Sequence, residues 1–219
     1  MSDGLTVHTS PPATRVDPGP AADVARAADV EPSAFYYDFV VPECYLMAER
    51  VLGDLPVVPV WTPVRHSGLE GGGSAPHLSV ADRDAFAARV AAQGLQPLRW
   101  PTAWPWDPEP ALLAATYAKS IGRAVAFSLA AFRQAYAGGR DLSDHDSVVI
   151  AAAANEMHPR AVLKGIELRS VRAALDAATA AAAGSGVCDL PALRVGDAVF
   201  CGRGALGAAA AEMQEQASR

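Results

Sequence analysis

The 219-residue chain has little cysteine and little lysine. Three cysteines are too few for a scaffold held together by disulfides, and the odd number leaves at least one thiol unpaired. A mechanism based on a lysine side chain has only two candidates, Lys119 and Lys164. The net charge of −6 excludes a strongly basic nucleic-acid binder.

Long hydrophobic runs are also missing. The most apolar stretch, residues 148–154, is far shorter than the roughly 20 residues that a membrane-spanning helix needs. Residues 1–10 have neither the apolar core nor the basic flank of a secretory signal. We therefore expect a soluble, cytoplasmic protein with reduced thiols that binds neither membrane nor nucleic acid.

Alanine, by contrast, is abundant, with 47 residues. Alanine has the highest intrinsic helix propensity, so the composition favours a helical protein. The hydrophobic fraction of 51% is high enough for most of the chain to fold, and the length fits one domain or one domain with an insertion. The exception is residues 1–33, where five prolines and few large apolar residues predict a disordered extension.

Residues 34–66 are predicted to form a β-α-β unit. The aromatic and β-branched run at 35–41 is typical of a buried strand, and a helix over 43–52 follows Pro42. Residues 56–64 are predicted as a second strand. Two strands joined through one helix should be parallel.

The rest of the chain divides into a helical part and a second strand-containing part. Residues 67–185 begin with a glycine loop and are then predicted to be almost entirely helical. In residues 186–219, a β-hairpin over 191–201 with a two-residue turn precedes a closing helix. The predicted fold class is therefore α/β, with β-α-β and β-β-α halves separated by a large helical insertion.

This order of elements and several motifs together resemble a known family. The motifs are FYYDFVVPECYL at 35–46, LRWP at 98–101, WPWD at 104–107, FRQAYAGGRDLSD at 132–144 and GVCDLP at 186–191. They resemble the DsbA-like family, which has a thioredoxin-like fold with an all-helical insertion. The middle motifs are most similar to 2-hydroxychromene-2-carboxylate isomerases, relatives of kappa-class glutathione transferases. The resemblance covers roughly residues 34–212.

The resemblance implies an active-site turn at the start of the first helix. Family members place a cysteine or serine where this chain has Val41, whose methyl groups can neither attack a disulfide nor donate a hydrogen bond to a thiolate. Cys44 stands where the redox members have their second cysteine, so a paired redox motif at this turn is excluded. Cys44, together with Glu43, is the catalytic candidate, and the alternative is that Cys44 is a small buried residue that packs the helix.

The resemblance also implies a site for a thiol ligand, either glutathione or another low-molecular-weight thiol. Pro191 aligns with the family's cis-proline, and the backbone of Leu190 would pair with the ligand. The isomerases carry an acidic residue after the last strand, whereas this chain has Arg203, which either holds an anionic ligand or is simply solvated. The candidate thiol- and substrate-binding residues are Pro42, Trp61, Trp106, Leu190, Pro191 and Arg203.

Other polar and aromatic residues give weaker indications. Trp61 and Trp106 lie near the junction with the insertion, where they would contact an aromatic substrate or pack the core. The histidines show no metal-ligand spacing with a third partner, so we predict no metal site. Cys188 and Cys201 flank the predicted hairpin several residues out of register, and we therefore do not favour a disulfide between them.

Three functions follow as hypotheses. The first is an enzyme that uses a glutathione-type thiol to isomerise or modify an aromatic-derived acid. The second is a thiol-disulfide oxidoreductase with Cys44 as a single active-site cysteine. The third is a catalytically eroded protein that binds a ligand or a partner. A small-molecule substrate is expected in the first two cases, and the oligomeric state stays open, with a homodimer as one alternative.

Overall fold

The aromatic run near residue 35 begins a short strand. In the computed structural model, which describes residues 32–72 and 78–218, strand β1 covers Ala34–Tyr37. It ends earlier than the predicted strand because the chain turns at Asp38, whose carboxylate accepts a hydrogen bond from the backbone N–H of Val40. The predicted disorder of residues 1–33 lies outside the described residues up to position 31.

The first half of the fold is a β-α-β unit, as predicted, with shorter elements. Helix α1 covers Pro42–Ala48, a short helix α2 follows at Val51–Asp54, and β2 covers Val60–Pro63. Strand β2 starts later than predicted, at Val60, which lies opposite Ala34, the first residue of β1. β1 and β2 are parallel, with Phe35 opposite Trp61.

The second half supplies the other two strands of a four-stranded sheet. Strands β3, Ala192–Val195, and β4, Ala198–Cys201, form the predicted hairpin, and Gly196 in its turn has a positive φ of 57°, which glycine adopts without steric cost. β3 pairs antiparallel with β1, so the order of strands across the sheet is β2-β1-β3-β4. This arrangement confirms the predicted α/β fold class.

The chain between the two halves is helical, as its alanine content predicts. The described part of this region contains six α-helices, and a further helix closes the chain. They are α3 (Val80–Ala92), α4 (Glu109–Ser120), α5 (Ala124–Tyr136), α6 (His145–Ala153), α7 (Pro159–Glu167), α8 (Arg169–Gly184) and, after β4, α9 (Ala205–Ala217).

Aromatic side chains join the β-α-β unit to the helical insertion. The ring of Phe39 lies 4.8 Å from that of Phe132 on α5, and the rings of Tyr45 and Tyr136 stack at 5.4 Å between centroids. The Tyr136 hydroxyl donates to the backbone oxygen of Phe39 at 2.9 Å. Such ring pairs add about 0.5–1.5 kcal/mol each to the stability from burial. We call this set of contacts the aromatic seam.

The buried carboxylate of Asp38 connects two segments at the end of the sheet. One oxygen accepts the Val40 N–H at 3.1 Å, and the other accepts the N–H of His66, just after β2, at 2.9 Å. Burial, which disfavours the charged form, raises the pKa of Asp38 to about 6, although these hydrogen bonds act in the opposite direction. Asp38 therefore fixes the turn before α1 relative to the segment after β2.

We predict that Asp38 makes stability depend on pH. Its folded pKa of about 6 lies above the ordinary 3.8, so the folded protein holds this proton more tightly than the unfolded chain does. The resulting stabilisation is complete below about pH 4 and is lost as pH rises through about 6. The free energy of unfolding of the unaltered protein minus that of Asp38→Asn should therefore fall by about 2 kcal/mol between about pH 4 and pH 7.

Urea titrations over this pH range measure that difference. Asp84→Asn, which removes an exposed carboxylate on α3, is the matched control for the loss of one negative charge. A difference between the unaltered protein and Asp38→Asn that stays constant from pH 4 to 7 would contradict the prediction.

Candidate functional site

A cavity of about 310 Å³ lies at the end of the sheet where α1 begins. We call residues 188–191 the proline loop and the cavity the proline-loop pocket, because Asp189 and Leu190 of this loop form one of its walls. The other walls come from the start of α1, the segment after β2, α3 and Arg203. The lining residues are Val41, Pro42, Glu43, His66, Gly71, Leu78, Asp82, Phe86, Arg89, Asp189, Leu190 and Arg203.

The first wall is the turn that leads into α1. Val41 is the N-cap residue of this helix, has extended backbone angles and is buried. An N-cap side chain with an oxygen would accept a hydrogen bond from the helix backbone, but valine has only hydrocarbon there. Pro42 occupies the first helical position, where its missing N–H costs nothing. Any hydrogen bond to a ligand at this wall must come from backbone groups.

The second wall is the proline loop. The Leu190–Pro191 peptide bond is cis. The backbone oxygen of Pro191 accepts the Gly202 N–H at 2.8 Å, and the oxygen of Cys188 accepts the Gly71 N–H at 2.7 Å. A Cβ at position 71 would lie 2.8 Å from that same oxygen, so this close approach requires glycine. Hydrogen bonds to Gly71 and to Gly202 therefore hold the proline loop at its first and last residues.

The third wall is charged. Both carboxylate oxygens of Glu43 bind the guanidinium group of Arg89, with Oε2 at 2.7 Å from Nη1. Glu43 Oε1 also accepts a hydrogen bond from Nε of Arg203 at 3.1 Å. The Arg203 side chain is 73% exposed, whereas that of Glu43 is 22% exposed. Two guanidinium groups thus share one carboxylate, and the carboxylate of Asp82 also lines the pocket, so acidic and basic side chains stand together at this wall.

The same three residues also line a neighbouring cavity of about 330 Å³, where Pro191 lies. The Glu43–Arg89–Arg203 cluster therefore stands between the two spaces. A guanidinium group at this position can reach a ligand carboxylate from either side, with Arg203 the more accessible of the two arginines.

A histidine–aspartate pair also faces the pocket. His66 Nε2 lies 2.9 Å from Oδ1 of Asp189, and the same carboxylate oxygen accepts the Leu190 N–H at 2.7 Å. The backbone of His66 is in turn bound to Asp38. Histidine is the side chain most often used for proton transfer in active sites, and a carboxylate partner orients its ring.

Cys44 does not reach the pocket. It lies on the buried side of α1 with no exposed surface. Burial raises the pKa of the Cys44 thiol well above its ordinary value, which disfavours the reactive thiolate. These surroundings are those of a thiol that packs the helix.

Trp61 and Trp106 are part of the core. Trp61 packs its ring against Phe35 at 5.0 Å, and Trp106 lies 5.9 Å from the ring of Tyr136. Both are buried, and neither is among the residues that line the proline-loop pocket. The structure thus brings together Val41, Pro42, Glu43, Leu190 and Arg203 in that pocket, with Pro191 beside it, and leaves Cys44 and the two tryptophans elsewhere.

Sequence reasoning did not identify Arg89, His66 and Asp189 as pocket residues. Arg89 is one of several charged residues on α3, and nothing in its spacing distinguishes it. His66 and Asp189 are 123 positions apart, and their pairing depends on how the two halves of the fold meet. Only Asp38, whose carboxylate binds the backbone of His66, stands out in the sequence. An acidic residue within an aromatic run indicates a buried carboxylate with a structural role.

Within residues 32–72 and 78–218, no group of three or more His, Cys, Asp or Glu side chains could hold a metal ion. In the same part of the chain, no helix is both long enough and apolar enough to cross a membrane.

The similarity of this chain to known proteins is found among solved structures. No model of a protein family matches the chain, and no curated protein sequence matches it. Among solved structures, a 2-hydroxychromene-2-carboxylate isomerase is similar, with a TM-score of 0.68 and 16% identity over 84% of this chain and 95% of the other.

Two oxidoreductases are also similar. A probable DsbA oxidoreductase from Streptomyces coelicolor has a TM-score of 0.68 and 21% identity over 85% of this chain and 90% of its own. The cytosolic disulfide reductase DsbM from Pseudomonas aeruginosa, solved with GSH, has a TM-score of 0.60 and 16% identity over 85% of this chain and 99% of its own. The chain therefore has the thioredoxin-like fold of the DsbA-like proteins, with a helical insertion between its two halves.

Proposed function

We propose that this protein binds a low-molecular-weight thiol of the glutathione type in the proline-loop pocket. The bound thiol would serve in isomerase or transferase chemistry on an aromatic-derived acid. One observation carries the proposal: a cavity of about 310 Å³ unites the turn at Val41, the backbone of Leu190 and the guanidinium group of Arg203. The similar DsbM structure contains GSH, which supports a thiol as ligand.

The bound sulfur would lie between the start of α1 and the proline loop. The N-terminal end of a helix favours negative charge, and so a thiolate. The side chain of Val41 is hydrocarbon and cannot accept a proton. Another group must therefore take the proton of the thiol. His66 is our candidate, because it lines the pocket and its Nε2 is engaged by Asp189. If Nε2 carries the hydrogen, Nδ1 is left to accept the proton of the thiol.

The reaction would then need no cysteine of the protein. The thiolate adds to an unsaturated carbon that is conjugated to a carbonyl group of the acid, so that a carbon–sulfur bond forms and the π electron pair moves onto the carbonyl oxygen as an enolate. Rotation about the former double bond follows. The enolate electrons then re-form the double bond as the carbon–sulfur bond breaks, which releases the isomer and the thiolate. The thiol is regenerated in each cycle.

Arg203 would recognise a carboxylate of the thiol or of the acid. Its side chain is mostly exposed and has one hydrogen bond to Glu43, so it can turn towards a ligand. Arginine binds carboxylates through two parallel hydrogen bonds.

The oxidoreductase hypothesis with Cys44 as a single working cysteine has less support. The thiolate is the attacking species in disulfide exchange, and the burial of Cys44 both raises its pKa and blocks access. A catalytically eroded binding protein remains the alternative if no thiol-dependent reaction is found.

We predict that Arg203→Met weakens the binding of glutathione by about tenfold, which corresponds to the loss of one charged hydrogen bond. Isothermal calorimetry measures the dissociation constants. Arg203→Lys should lose less, because the charge remains. Arg160→Met removes an exposed arginine outside the pocket and is the control. Equal affinity for Arg203→Met and the control would contradict the assigned site.

We predict that Val41→Ser increases the rate of thiol-dependent isomerisation by about tenfold, because the new hydroxyl can donate a hydrogen bond to the thiolate. The assay uses 2-hydroxychromene-2-carboxylate with glutathione, and Val41→Ala is the control that shortens the side chain without adding a donor. If the serine variant is active and the unaltered protein is not, the proposed activity is wrong for this chain.

We predict that Cys44 in the folded protein does not react with iodoacetamide. The measurement uses a Cys188→Ser/Cys201→Ser double variant, so that Cys44 is the only thiol, and mass spectrometry counts the labels. Labelling should occur only after unfolding in denaturant. Rapid labelling of the folded protein would instead favour the single-cysteine oxidoreductase.

A further inference from the structure

The two cysteines outside α1 lie against one another. Cys188 precedes the proline loop's cis bond and Cys201 ends β4, and their sulfur atoms are 3.5 Å apart, with Cys188 Sγ as donor. The hairpin register alone does not predict this contact, since Ala192 is the residue opposite Cys201. The path of the proline loop brings Cys188 back to the end of the strand.

Backbone hydrogen bonds hold both residues in this position. The oxygen of Cys188 accepts the Gly71 N–H at 2.7 Å. Cys201 belongs to the sheet, and the next residue, Gly202, donates its N–H to Pro191 at 2.8 Å. The two sulfur atoms therefore meet between fixed backbones and lose little freedom if they become bonded.

The pair is also accessible. Cys188 is exposed and Cys201 is half-buried, whereas the third thiol, Cys44, is fully buried. Reaction with a dissolved disulfide needs an accessible sulfur and a second thiol within reach to displace the mixed disulfide. Cys188 and Cys201 meet both requirements.

We propose that Cys188 and Cys201 form a redox-active dithiol that exchanges two electrons with low-molecular-weight disulfides. This site is separate from Cys44 and from the turn at Val41. It does not depend on the proposed isomerase or transferase activity, although the neighbouring Asp189 lines the proline-loop pocket.

The exchange takes place in two steps. One cysteine, as the thiolate, attacks a sulfur of the small disulfide, so that a mixed disulfide forms and one small thiolate leaves. The second cysteine loses its proton and attacks the protein sulfur of that mixed disulfide. The Cys188–Cys201 bond forms and the second small thiolate leaves. The protein loses two electrons and two protons, and the small disulfide is reduced to two thiols.

The experiment uses the reduced full-length protein with oxidised glutathione as the probe. After an acid quench and alkylation, intact mass counts the free thiols and any bound glutathione. A peptide map without reductant identifies linked cysteines. The unaltered protein and Cys44→Ala should both lose two thiols, carry no glutathione and yield a Cys188–Cys201 peptide.

The single variants remove the second step. Cys188→Ser and Cys201→Ser should each retain glutathione as a stable mixed disulfide, at a level at least about tenfold above that in the unaltered protein. Both positions are at least partly exposed, so serine fits without a change in the core, and circular dichroism checks the fold.

Three results would overturn the proposal. They are a stable glutathione adduct on the unaltered protein, the absence of a Cys188–Cys201 peptide, and a disulfide between two copies of the chain in place of an internal one. Isomerase activity does not enter this measurement, so a failure of the proposed function leaves the test of the dithiol unaffected.

Discussion

The arrangement of the candidate site depends on one buried carboxylate, that of Asp38. A carboxylate with almost no exposed surface is costly unless hydrogen bonds satisfy its oxygens. Here its partners are the backbone N–H groups of Val40, just after β1, and His66, just after β2. The turn into α1 and the segment after β2 are therefore fixed relative to one another. Val41 and His66 face the same pocket for this reason.

The packing of aromatic side chains into the core explains why the pocket contains few of them. Phe39, Phe132 and Tyr136 join the β-α-β unit to the insertion through ring contacts and a buried hydrogen bond. Trp106 packs against Tyr136 of the aromatic seam, and Trp61 packs against Phe35 of β1. As a result the pocket has few aromatic side chains and a charged wall, and its chemistry must rest on Glu43, its two arginines and the His66–Asp189 pair.

Thioredoxin-like folds support more than one chemistry, so the fold alone does not assign an activity to this chain. Its turn has a hydrocarbon side chain where a nucleophile or hydrogen-bond donor would act, and its remaining cysteine there is buried. Thiol chemistry must then use sulfur from elsewhere. The proposed thiol ligand in the pocket would be one source, and the accessible pair of Cys188 and Cys201 would be another. The two sources lie at different positions, and only the first requires the protein to bind a thiol.

The sequence by itself determined the elements whose signals are local. The aromatic run predicted β1, the two-residue turn at Gly196 and Asp197 predicted the hairpin, and the alanine-rich stretches predicted the helices, since each depends on neighbouring residues. It also excluded a paired redox motif at Val41. Only the tertiary structure decided which distant residues meet. His66 pairs with Asp189 across 123 positions, and Cys188 contacts Cys201 although the hairpin register separates them. Contacts of this kind depend on the paths of loops and on the packing of one half against the other, and no local pattern in the chain encodes them.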